Sequence, residues 1–198
     1  MHFARRFLTC LLFAALLAPA CAAQATTYDI SHVYSNVGFS ITKIFFKEEG
    51  GFREYSGQIF YDPDHPERSR VQMTVQAASI DTRIEGRDKV LRSDDFFDTE
   101  HYPTLSFVST SVTPKPGGAL EVAGDLTIRG VTRHITIPVR YLGHKQMPGW
   151  HDFVGFETEF TIDRTDFGVN GTRWSGGNLI LSKGVNIHLS IGAVRPGS

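Results

Sequence analysis

The chain has 198 residues, with 20 basic against 21 acidic side chains and a formal net charge of −1. It contains no basic run, so nucleic acid finds no electrostatic footprint on it, and its length beyond an N-terminal leader suits one domain with a sizeable core. Both cysteines, Cys10 and Cys21, fall in that leader, so no disulfide staples the rest of the chain.

Residues 1–25 read as an export signal and 26–198 as a single domain. Arg5 and Arg6 form a positive start, and Phe7 to Leu17 is an apolar stretch shorter than the roughly 20 residues that span a bilayer. Small residues then offer cleavage after Ala22 or Ala25. Cys21 ends a run of Ala18, Pro19 and Ala20. That run is a poor lipoprotein box, lacking the usual Leu, so removal of both cysteines is preferred over a lipid anchor. The expected destination is the periplasm, and no later segment is apolar for long enough to make an integral membrane helix.

From Tyr28 onward apolar and polar residues alternate with period two, the pattern of half-buried strands. Val37, Phe39 and Ile41 begin it, and Val71, Met73, Val75 and Ala77 repeat it. Ile135, Ile137, Val139 and Tyr141 follow, then Phe156, Thr158, Phe160 and Ile162, and lastly Val185, Ile187, Leu189 and Ile191. Further strands are expected over 51–61, 105–112, 120–128 and 178–183. Turn chemistry at Asp62–Pro66, Pro114–Gly118, Arg129-Gly130, Pro148-Gly149 and Asn170-Gly171 makes sequential strands antiparallel neighbours. Pro138 removes a ladder donor, so it belongs at an edge, a bulge or a corner.

One short helix interrupts the strands. Thr82 followed by Glu85 predicts a capping box, after which Ile84, Asp88 and Leu91 would share a face. About eight antiparallel strands, each with one apolar face, can stack as a sandwich or curl into a barrel. Composition does not choose between the two.

A set of motifs does. Tyr28 to His32, Val37-Gly38-Phe39, Phe52 to Gly57 and Ile59 to Pro63 come first. Ser79-Ile80-Asp81-Thr82, Arg87-Asp88, Leu91-Arg92-Ser93, Asp95 to Asp98 and Tyr102-Pro103 are the most specific. Phe107, Ser109-Thr110, Gly124 to Thr132 and Arg164 to Gly168 follow in order. Together they resemble the YceI-like family of exported lipid- or polyisoprenoid-binding proteins. The resemblance implies an all-β, lipocalin-like antiparallel barrel of about eight strands. It also implies an isoprenoid tail threaded inside, a periplasmic location, and a homodimer as a candidate assembly. Two positions depart from the family: Lys43 and Val90 stand where members often carry His, which leaves the head group's identity open.

The chain contains 15 Phe, and the candidate wall of an apolar cavity is drawn from them and their strand neighbours. Phe39, Phe107, Phe156 and Phe160 sit at presumed inward strand positions, with Ile41, Val75, Ile137 and Ile187 in the same alternation. Phe97 and Phe167 lie near strand ends. For any one of these residues alone an ordinary packed core is the better explanation; for the set as a whole, with the resemblance, a cavity is. His32, Lys43, Arg87 and Arg92 are the candidate head-group contacts. The charged helix segment also reads as a solvated face or as a pin to neighbouring strands, the preferred role for Asp88. The histidines are scattered without metal-ligand spacing, no nucleophile elbow occurs, and no cofactor is expected besides a bound isoprenoid lipid or quinone. The reading is therefore a non-catalytic carrier. The alternatives are a barrel enzyme using His32, Arg87 and Asp88, or an interaction-only barrel with a filled interior.

Overall fold

The computed structural model describes residues 25–146, 151–173 and 180–197. The expected leader, the Pro148-Gly149 turn and the start of the strand expected from 178 lie outside the described residues. Within them the order is β1 (Thr26–Ile30), β2 (Asn36–Lys43), β3 (Phe46–Phe52), β4 (Tyr55–Tyr61), β5 (Arg70–Gln76), β6 (Ile80–Asp81) and helix α1 (Glu85–Arg92). It continues with β7 (Thr104–Pro114), β8 (Ala119–Ile128), β9 (Val131–Gln146), β10 (Asp152–Asp163) and β11 (Leu181–Val194). No helix among the described residues is long and apolar enough to cross a membrane.

Eight strands close a ring in the order β1, β4, β5, β7, β8, β9, β10, β11. The ring shuts where Asp29 and Ile30 of β1 pair with Val194 and Ala193 of β11. The expected all-β antiparallel barrel is thus observed. β11 is long enough to serve two partners: its last residues hold β1, while Leu181 to Ser190 pair with β2. β2 turns into β3, and β3 pairs briefly with β6. One end of the wall is therefore continued by three extra strands.

The kink between β1 and β2 makes this possible. Ser31 N–H donates to the Gly192 carbonyl at 3.0 Å, and Ser35 Oγ bridges the Gly192 carbonyl and amide at 3.0 Å each. A Cβ on Gly192 would stand 2.6 Å from Tyr34 Cβ and 2.7 Å from the Tyr34 carbonyl oxygen. Only glycine lets the chain cross there.

Three expectations are corrected. The strands expected over 178–183 and from Val185 to Ile191 are, over the described residues, the single strand β11 (Leu181–Val194). The run 51–61 is two strands, because the chain breaks at Arg53 and Glu54. Arg53 N–H donates to the Ser79 carbonyl at 3.1 Å, and the Glu54 carbonyl accepts from Gln76 N–H at 2.9 Å. β3 and β4 thereby join different partners. The capping box does not form either. The residue before α1 is Ile84, without a side-chain cap, and Thr82 Oγ1 donates instead to Asp88 Oδ1 at 2.5 Å. Pro138 behaves as expected: the β9–β10 pairing stops at Arg140 opposite Glu157, and the Pro138 carbonyl accepts from Thr158 Oγ1 at 2.6 Å.

Candidate functional site

The inward faces of the ring do not meet as a solid core. They enclose a chamber of about 190 Å³, and a second chamber of about 130 Å³ lies against it at the end carrying α1. Together these reach the lower end of the roughly 300–1,000 Å³ usual for small-molecule pockets. The axis can be followed along β10 and β11. Phe156 and Phe160 line the main chamber, Ile162 lines both, and Arg164 just beyond lines the second. On β11, Ile191 belongs to the main chamber, Ile187 to both and Leu181 to the second.

All ten residues expected in an apolar wall lie on one chamber or the other. Val75, Phe107, Ile137, Phe156 and Phe160 line the main one, and Ile41, Phe97 and Phe167 the second. Phe39 and Ile187 line both. The junction is aromatic: Phe39 and Phe52 have ring centroids 5.9 Å apart, and Phe97 meets Phe52 edge-on at 5.8 Å. Tyrosine rings close the far end of the main chamber. Tyr61 lies 5.1 Å from Tyr141 and 5.4 Å from Phe156, centroid to centroid. Burial, with Tyr141 beside it, pushes the Tyr61 phenol up to about 12.

Both chambers present almost wholly apolar surface, although polar residues contribute to each wall: Ser69, Arg70, Ser106, Glu157 and Thr158 in the main one, and a tighter set in the second. Glu48, Glu49, Thr82, Arg87 and Arg164 form that second set. Arg87 ion-pairs with Glu48 and donates to Thr82 Oγ1 at 2.8 Å and to the Thr82 carbonyl at 2.9 Å. Asp88, 6% exposed, accepts from Thr82 N–H at 2.9 Å as well as from its hydroxyl. This network ties α1 to β3 and to Thr82, the residue that follows β6, across the end of the chamber, in keeping with the pinning role preferred for Asp88.

The other charged candidates stand elsewhere. Arg92 lines neither chamber; it donates to the Ala78 carbonyl at 2.7 Å and the Ile80 carbonyl at 3.0 Å, holding α1 to the preceding segment. His32 stacks on Tyr55 at 4.7 Å outside both chambers. Lys43 sits at the end of β2 opposite Leu181, also outside both walls. His32, Arg87 and Asp88 therefore do not meet in a cavity, as acid–base chemistry on one substrate requires. His144 pairs with buried Asp152 across the β9–β10 connection. Among the described residues no group of three or more potential metal ligands occurs.

Arg164 carries a role that its motif alone did not assign. It is 4% exposed, and its guanidinium donates to the carbonyls of Ser182 at 2.9 Å, Val169 at 2.7 Å and Asn170 at 2.9 Å. Burial lowers its pKa, and Asp163 opposes that shift. The signal was parity: 164 continues the even-numbered inward positions Phe156, Phe160 and Ile162. Phe52 was missed as a wall residue because it closes a strand rich in Glu and Gly.

Proteins of known sequence and structure resemble this chain closely. Protein YceI of Escherichia coli O157:H7 is 36% identical over 162 residues, covering 80% of this chain and 84% of that protein. The crystal structure of Burkholderia cenocepacia BcnA superposes with a TM-score of 0.76 at 27% identity, covering 83% of this chain and 99% of that one. A polyisoprenoid binding domain from Saccharophagus degradans, implicated in plant cell wall breakdown, shares the fold at a TM-score of 0.65 and 16% identity, covering 87% and 100%. The family model described as the YceI-like domain matches residues 28–193, and on that match the chain belongs to the YceI-like family.

Proposed function

We propose that this chain is a non-catalytic, periplasmic carrier that holds an isoprenoid lipid, a polyprenyl chain or an isoprenoid quinone, in its two chambers. The observation that carries this reading is the pair of contiguous chambers, both almost wholly apolar on their inner surface. An apolar tail gains roughly 0.8 kcal/mol for each CH₂ it buries, so a few isoprene units offset the cost of association and tail ordering. The tail lies in the main chamber, up to the Tyr61 end. The head lies in the second, beside Arg87 and the buried Arg164. The polyisoprenoid-binding description of the Saccharophagus domain supports the ligand class, and the export-type leader supports the location.

Native mass spectrometry on protein purified without added lipid, followed by organic extraction, tests it. A bound mass that extracts as an isoprenoid is expected. Protein recovered only at its bare mass, and unable to take up a prenyl lipid when offered one, rules the reading out.

A further inference from the structure

Among the described residues, the turn between β2 and β3 places three successive large apolar side chains in water. Phe45 is 88% exposed, Phe46 71% and Ile44 54%. Ile44 also has φ 58°, a left-handed conformation that a β-branched residue adopts only at a cost. Its amide donates to the Ile180 carbonyl at 2.7 Å, so the turn is held in place. Lys43 and Lys47 flank the tip. Lys47 pairs loosely with Glu49 at 3.2 Å, and Glu48 is taken up by Arg87. Lys43 and Lys47 balance Glu48 and Glu49 within the hairpin end, and α1 adds Arg87, Lys89 and Arg92 against Glu85 and Asp88, so hairpin end and helix together carry a net charge of +1.

We propose that this turn is a membrane-docking finger: Phe45 and Phe46 enter the interface of an anionic bilayer while Lys43 and Lys47 meet its head groups. Aromatic side chains with flanking lysines are the pattern that seats in the interfacial layer. Size decides against a protein partner. A stable protein interface takes about 800 Å² from each side, whereas three side chains, at roughly 150–250 Å² for each aromatic, fall well short. A bilayer needs only insertion of the tip. Ile41, Glu48 and Glu49 of the same hairpin line the second chamber, so a docked finger brings that chamber's wall close to the lipid. This last consequence rests on the proposed lipid-carrying function; the docking itself does not.

Flotation with vesicles tests it, using the exported protein, wild type and F45S/F46S purified alike. Wild type should float with phosphatidylethanolamine–phosphatidylglycerol vesicles, and the double variant should bind about tenfold less or weaker still. K43E/K47E should lose binding to these vesicles more than to phosphatidylcholine vesicles. Circular dichroism and retention of detergent-delivered prenyl lipid should be unchanged in F45S/F46S, since neither side chain lines a chamber. Wild type that stays with the soluble fraction, or a double variant that floats equally well, overturns the proposal. In the first case the exposed tip would be left to a protein partner.

Discussion

At the residue scale, the wall positions differ in what a substitution would test. Phe107 lines the main chamber, and a Cβ placed on Gly124 of the neighbouring strand would stand 2.6 Å from its ring. Phe107→Asp puts a carboxylate into an apolar wall, where burial without a partner is costly. Lipid retention should fall by tenfold or more, on the order of 1.4 kcal/mol per decade. Ile137→Phe asks the opposite question. It fills the chamber with hydrocarbon, so retention should drop while the thermal midpoint holds or rises, because added atoms meet unfilled volume. Unchanged retention in a folded Ile137→Phe protein would place the tail elsewhere. Tyr61 governs an alkaline transition. Its phenol resists ionisation in the folded state up to about 12 against an ordinary 10.0. The stability this gives is complete below pH 10 and is lost as the pH rises through about 12. Urea unfolding of wild type across this window should show falling stability, and Tyr61→Phe should flatten the decline. An equally steep decline in the variant would assign the transition to Tyr28, Tyr55 or Tyr141, whose pKa values burial also raises.

At the element scale, α1 depends on one buried carboxylate. Asp88 takes both the amide and the hydroxyl of Thr82, and the same hydroxyl accepts from Arg87. Asp88→Ala leaves a buried amide and hydroxyl without their acceptor, a loss of roughly 2–3 kcal/mol. Asp88→Asn, which keeps an acceptor for the amide, should lose less. Chemical denaturation reads the difference, and amide exchange over Glu85–Arg92 should quicken in the Ala variant. Equal stability of the Ala variant and wild type would show that the helix is held by Leu91, Phe96 and Phe97 alone. This element also marks what could be read from the chain. Period-two alternation located the strands and their inward faces, because a half-buried sheet imposes it directly. Thr82 and Glu85 had the spacing of a capping box, yet Asp88 competes for the same hydroxyl and wins from a buried site. Spacing along a chain does not rank such competitors. Nor could it show that 51–61 changes partners at Arg53, since that break is decided by Ser79 and Gln76 arriving from elsewhere. Arg164 sat in plain parity with its inward neighbours, but alternation alone gives no reason to bury a cation.

At the scale of the whole molecule, the closed ladder and the chambers pull in opposite directions. The barrel shuts through two residue pairs between β1 and β11, against eleven between β10 and β11. The described residues contain no cysteine, so burial and backbone pairing must hold that seam. Unfilled volume costs about 24 cal/mol per Å³ in a protein core. A chamber of about 190 Å³ therefore weighs on the order of 5 kcal/mol if nothing enters it, against a net stability of about 5–15 kcal/mol for a domain. Large inward side chains at a few positions would remove that burden, and the sequence places Val75, Val122 and Val139 there instead. An interaction-only role gives no reason to bear this; the proposed carrier role does. The expected consequence is a protein that stays folded after its lipid is extracted but melts lower, and recovers as lipid is returned. By mass action, lipid at a hundredfold its dissociation constant should restore about 2.7 kcal/mol. Differential scanning calorimetry on extracted and reloaded protein measures this. A midpoint unmoved by lipid at any concentration would mean that the chambers are only a gap in the packing. Collapse of the β circular dichroism on extraction would mean that the lipid is part of the core rather than its cargo.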